Sequence, residues 1–108
     1  MTVAVTGAAG FIGASVVRQL LEQGRSVRAI LEPGAKTDNL DSLPQTHLDR
    51  VTVDVCDGPG MTRALSGCES LHHLAAVYRI WLPDPDVIFR VNLEGTTATL
   101  LAAAKAGV

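Results

Sequence analysis

The sequence is short of most features that point to a function on their own. Its 108 residues hold one Trp, one Tyr, two Phe and two Cys, Cys56 and Cys68. Two cysteines are too few for a disulfide scaffold, and neither has a His companion at metal-ligand spacing, which excludes a structural zinc. They read as ordinary buried thiols of a reducing cytoplasm. Basic residues are outnumbered, nine Lys and Arg against eleven Asp and Glu, for a formal charge of −2 and a pI of about 5.8. Without a basic excess, nucleic acid and anionic membrane surfaces are excluded as partners. No apolar run approaches the roughly 18 residues of a membrane span. The opening Met1-Thr2-Val3-Ala4-Val5-Thr6 lacks the basic stretch of a signal peptide, so the expected location is cytoplasmic. What is present is a foldable balance of 47% hydrophobic and 19% charged residues with ten Gly, the composition of one globular domain.

Hydrophobic patterning predicts alternating strands and helices. Residues 2–6 are a short β-branched apolar run suited to a strand covered on both faces. From Phe11 the spacing turns helical, with Ile12, Val16, Val17, Leu20 and Leu21 on one stripe and Gly24 at the end. A second strand is expected over residues 27–31, ended by Pro33-Gly34. A short helix over residues 38–43 is stopped by Pro44, and a loop runs to Arg50. A third strand is expected over residues 51–55. A helix follows Asp57-Gly58-Pro59-Gly60, with Met61, Ala64 and Leu65 on its inner face and Gly67 closing it. A fourth strand over residues 70–75 and a loop over residues 78–83 lead to the last helix. That helix has Asp84 as N-cap and Pro85 at its first position, and it ends near Ala106 at Gly107. Such alternation implies a parallel sheet with helices on both faces. The pattern stops where another strand would follow. The expectation is one incomplete domain over residues 1–108, truncated after four strands, with a sheet edge open to self-association.

The informative stretch is Thr6-Gly7-Ala8-Ala9-Gly10-Phe11-Ile12-Gly13, between a strand and a helix. In a Rossmann-type α/β domain Gly7 permits the tight turn. Gly10 lets backbone approach a pyrophosphate, and Gly13 lets the helix pack on the sheet. The N–H groups of the first helical turn, at Phe11 and Ile12, then face the phosphates. The spacing is G-x-x-G-x-x-G, so the strand–helix context carries the reading rather than the glycines alone. Glu32 ends the second strand, roughly 20 residues on, where a carboxylate accepts from ribose hydroxyls and repels a 2′-phosphate. A solvated strand-end Glu accounts for it equally well.

With these residues in view, the chain resembles the N-terminal part of an extended short-chain dehydrogenase/reductase, the NAD-dependent epimerase/dehydratase family. Its opening is similar to the family's T-G-x-x-G-F-I-G. Val53-Asp54-Val55 with Asp57 resembles G-D-hydrophobic-x-D, with Val53 in place of Gly. His73-Leu74-Ala75-Ala76 resembles H-hydrophobic-A-A, and Asn92-Leu93-Glu94-Gly95-Thr96 resembles N-hydrophobic-x-G-T. The stretch Ala76-Val77-Tyr78-Arg79-Ile80-Trp81 with Asp84-Pro85-Asp86 is similar to a hopanoid-associated sugar-epimerase subgroup near the dihydroflavonol-4-reductase-like branch. That subgroup often carries Arg where this chain has Glu32, a departure that leans towards NAD over NADP.

The resemblance implies a dinucleotide cofactor, with Asp54 at the adenine amine, Val55 beside it, and Leu74, Ala75 and Ala76 at the ribose. It assigns Asn92 to a catalytic Asn-Ser-Tyr-Lys set, supporting a water and the Lys from a locally opened helix. The residues agree with that opening, because a mid-helix amide and Gly95 are both weak helix formers, although a solvent-facing Asn is the plain alternative. His72 and His73 lack an identifiable acid/base partner and read as structural. Tyr78 has Leu82 rather than Lys four residues on, and Trp81 and Phe89 read as packing or loop anchors. The family's Ser and Tyr-x-x-x-Lys have no counterpart here, so the chain is expected to be inactive alone. Two functions fit: the NAD(P)-binding portion of an oxidoreductase or epimerase transferring hydride on a nucleotide-sugar or similar alcohol or ketone, or a non-enzymatic NAD(P)-sensing module.

Overall fold

A computed structural model describes residues 2–76, 84 and 86–108. The expected loop at residues 78–83, with Tyr78 and Trp81, and the Pro85 position lie outside the described residues. The elements run β1 (Thr2–Thr6), α1 (Phe11–Glu22), β2 (Ser26–Leu31), α2 (Asp38–Asp41), β3 (Leu48–Thr52), α3 (Gly58–Leu65), β4 (Cys68–His73) and α4 (Asp86–Phe89). A wide π-helical stretch (Arg90–Gly95) then leads into α5 (Thr96–Ala106). All strand pairs are parallel, in the order β3-β2-β1-β4.

Alternation along the central strands sorts the core into two layers. Val3 and Val5 of β1 and Val27, Ala29 and Leu31 of β2 meet Ala14, Val17 and Leu20 of α1, with Leu40 and Leu48 closing the layer. Ala4 and Ile30 face the other way, against Met61, Ala64 and Leu65 of α3 and Ala102 and Ala103 of α5. The four-stranded Rossmann-type sheet with helices on both faces is thus the architecture observed.

Several boundaries differ from the expectation. β3 starts at Leu48 and ends at Thr52, three residues earlier at each end than expected. Leu48 is buried and pairs with Val27, and the polar Asp49 and Arg50 fit an edge strand because Arg28 and Asp41 meet their charges. The Val53 amide still donates to the Leu31 carbonyl at 2.9 Å, and beyond it the chain leaves the ladder as Asp54 turns back to accept the Cys56 amide at 2.8 Å. β4 likewise runs earlier, from Cys68. On α1 the buried positions are Gly13, Ala14, Val17 and Leu20, whereas Ile12 is 62% exposed because the first turn overhangs the sheet end. Phe89 is 69% exposed and anchors no core. Cys68 is buried, but Cys56 is only half-buried. The last helix is continuous but not uniformly α. The Asp84 carboxylate accepts the Asp86 amide at 3.1 Å, as expected of its N-cap.

Candidate functional site

The glycine turn is built by backbone crowding. Gly7 sits at φ 65°, and a Cβ there would lie 2.8 Å from the Ala75 nitrogen. The Gly10 amide donates back to the Gly7 carbonyl at 3.1 Å. A Cβ on Gly13 would collide with the Gly7 carbonyl oxygen and sit 2.9 Å from the Ala8 Cα. Helix α1 therefore starts as close to β1 as two backbones allow. Its N-terminus has no side-chain cap and no acidic residue in the first turn. The partial positive charge of those amides is left for an external anion.

This turn forms one wall of a cleft of about 930 Å³. Every cofactor position expected from the sequence lines it. Gly7, Gly10, Phe11, Ile12 and Gly13 come from the turn, Glu32 from the end of β2, and Asp54 and Val55 from beyond β3. Leu74, Ala75 and Ala76 come from beyond β4. Among the described residues, Arg90 and Val91 also line it and Asn92 does not. Arg90 was missed by sequence reasoning, although its place two residues before Asn92 is a usable signal. A second depression of about 790 Å³ lies along the β3 edge and shares only Pro33 and Asp54 with the first.

Glu32 is exposed at the cleft, immediately after Leu31. Arg28 is not free to swing towards it. Its guanidinium caps the end of α3 at the Ala64 and Ser66 carbonyls, 2.8 and 2.9 Å away, and pairs with Asp49 at 3.3 Å. Lys36 is exposed.

The strand end beside the turn is held by polar groups. Thr6 Oγ1 accepts the Leu74 amide at 3.0 Å and the Ala75 amide at 3.2 Å, and lies 2.7 Å from His73 Nδ1. His73 Nε2 lies 3.2 Å from Thr96 Oγ1, which donates to the Asn92 carbonyl at 2.7 Å. His73 is therefore half-buried and structural, as expected, while His72 is exposed. Burial holds the His73 ring below the ordinary value of 6.5. The unfolded chain then takes up a proton where the folded one has not, so this stabilisation is complete above 6.5 and lost as pH falls through the folded value. Melting temperature is expected to drop as pH is lowered below 6.5, with a shallower slope for His73→Gln. Equal slopes for both proteins would remove His73 from the acid transition.

Gly95 explains the local opening of the last helix. A Cβ there would lie 2.7 Å from Val55 Cγ2, so the π stretch is pressed onto the segment that lines the cleft. Burial, and then the Asp54 carboxylate, push the neighbouring Cys56 thiol upwards, and its Sγ donates to the Arg90 carbonyl at 3.3 Å. Gly95→Ala is expected to destabilise by about 1–3 kcal/mol, the range for overpacking. Val55→Ala should recover much of that loss in the double variant, which a melting cycle of the four proteins measures. Additive losses would place the crowding elsewhere.

Residues 4–108 match the model of the 3-beta hydroxysteroid dehydrogenase/isomerase family. The chain belongs to that family. It is thereby one of the extended short-chain dehydrogenases/reductases, with NAD-dependent epimerases, dehydratases and reductases as relatives. A putative dihydroflavonol 4-reductase of Synechocystis sp. is 43% identical over 96% of this chain and 29% of its own length. The dTDP-glucose 4,6-dehydratase of Streptomyces venezuelae, solved with NAD, superposes with a TM-score of 0.90 at 30% identity, over 100% of this chain and 37% of its own. The UDP-glucose 4-epimerase of Thermus thermophilus, also solved with NAD, gives 0.82 at 34% identity, over 100% of this chain and 35% of its own. The chain thus spans about a third of the length of these family members.

Proposed function

We propose that this chain is the NAD-binding portion of an oxidoreductase or epimerase of this family, acting by hydride transfer on a nucleotide-sugar or similar alcohol or ketone. The observation that carries the reading is the uncapped N-terminus of α1, reached over a turn whose glycines leave backbone N–H groups facing a cleft. A pyrophosphate fits that positive wall, where Gly7, Gly10 and Gly13 present no side chain. Glu32 stands at the second-strand end of the cleft, where it would accept from ribose hydroxyls. Asp54 lines the cleft and keeps one carboxylate oxygen on the Cys56 amide, and its other oxygen would accept from the adenine amine. Val55, Leu74, Ala75 and Ala76 give this cofactor apolar walls and backbone. Bound NAD would supply a hydride acceptor. The residues of this chain bind and orient it, and Asn92, one residue beyond the lining, is the member contributed to the reacting end. Relatives that are reductases, dehydratases and epimerases support this substrate class.

The test is calorimetric titration of the chain with NAD. Saturable binding is expected, and Gly10→Val should weaken it at least about tenfold by filling the pyrophosphate position. Equal affinity of parent and variant would sink the assignment. We further infer that the chain self-associates through β4, whose only neighbour among the described strands is β1. Sedimentation showing a monomer at all concentrations contradicts that second reading.

A further inference from the structure

Segments adjoining three walls of the cleft meet at one imidazole. Thr6, fully buried and immediately before the glycine turn, accepts the Leu74 and Ala75 amides at 3.0 and 3.2 Å. Those two bonds occupy both lone pairs of the hydroxyl, so its single proton points to His73 Nδ1, 2.7 Å away. Nδ1 is then an acceptor, and a neutral ring carries its proton on Nε2. Nε2–H donates to Thr96 Oγ1 at 3.2 Å, and the Thr96 hydroxyl spends its own proton on the Asn92 carbonyl at 2.7 Å. Every hydrogen in this relay runs one way, from the strand-end amides to the π stretch. The other tautomer would set two donors against each other at Thr6.

We propose that His73 is a positioning residue. As the neutral Nε2–H imidazole it fixes the spacing of the glycine turn, the strand end at Leu74 and the Asn92 stretch around the cleft. The arrangement explains why a polar, half-buried ring sits at the last position of β4, where an apolar residue would pack as well. The proposal rests on the dinucleotide reading for one consequence alone, that a ligand on the glycine turn is felt at Asn92. The placement itself needs no ligand.

The test uses the 108-residue chain without ligand. Long-range proton–nitrogen correlation at neutral pH is expected to show a bare Nδ1 and a protonated Nε2 for His73. Thr96→Val removes the far end of the relay and keeps the β-branched shape. It should speed amide exchange at residues 93–97 roughly tenfold while leaving the Leu74 and Ala75 amides as in the parent. His73→Leu should speed exchange in the 93–97 stretch as much. His73→Gln, which retains an acceptor and a donor, should return it to within about threefold of the parent. A protonated Nδ1, parental exchange in Thr96→Val, or no rescue by Gln overturns the proposal. Should His73→Leu not fold, the ring spectrum and Thr96→Val decide. A chain that shows this spectrum and exchange pattern yet fails to bind NAD sinks the cofactor reading and leaves the positioning role standing.

Discussion

Gly13→Ala should be the most damaging single methyl that can be added to this chain. The new Cβ would run into the Gly7 carbonyl oxygen, a backbone atom of the glycine turn that has no side-chain freedom to yield. Relief requires α1 to lift from β1, which breaks the contact of Ala14 and Val17 with Val3 and Val5. The expected cost is about 3 kcal/mol, the upper range for overpacking, and a fall in Tm of about 10 °C or more. Gly24→Ala is the control. Gly24 lies at φ 79° with no atom within 4 Å of its added Cβ, so only left-handed backbone strain of about 1–2 kcal/mol is imposed. Chemical or thermal denaturation of the two variants measures the difference. If Gly24→Ala is the more damaging, close helix–sheet approach is not what Gly13 provides.

Glu32→Arg should reverse coenzyme preference. In the parent the carboxylate would accept from the ribose hydroxyls of NAD and oppose the 2′-phosphate of NADP. Arg28 is held by Asp49 and the end of α3, so it cannot soften that repulsion. The expected preference for NAD is about 1–3 kcal/mol, the scale of a charge-assisted bond, or roughly fivefold to 150-fold. In the variant the guanidinium would pair with the phosphate and the order should invert. Titration of both proteins with both cofactors gives the four affinities. A parent that binds NADP more tightly would show Glu32 to be a solvated charge without a role in the site.

Much of this molecule could be read before its structure was known, and the reasons are local. β1, α1 and β2 carry strong apolar periodicity and are punctuated by glycines, and all three fell within a few residues of expectation. β3 did not, because Asp49 and Arg50 make an edge strand look like loop until Arg28 and Asp41 are seen beside them. The eleven expected cofactor positions converge on one cleft because each follows the end of a parallel strand or opens the helix after it. Arg90 escaped notice because it comes from a helix held at the cleft by contacts distant in sequence, the close approach of Gly95 to Val55 and the bond from Cys56 among them. The relay through His73 was illegible for a different reason. Its partners, Thr6 and Thr96, are 67 and 23 residues away, and no short motif encodes a bond at that distance.

The π stretch between α4 and α5 acts as a gear. An α-helix advances about 100° per residue, and a wider turn holds an additional residue without adding a full step of rotation. The residues before Thr96 are thereby set out of phase with those after it. That offset lets one continuous helix turn Gly95 onto Val55 and, within two further turns, Thr99, Ala102 and Ala103 into the core shared with α3. Wound at the ordinary pitch, the same six residues would swing that second face away by about a quarter of a turn. The pitch of this segment is thus as much a part of the design as its sequence.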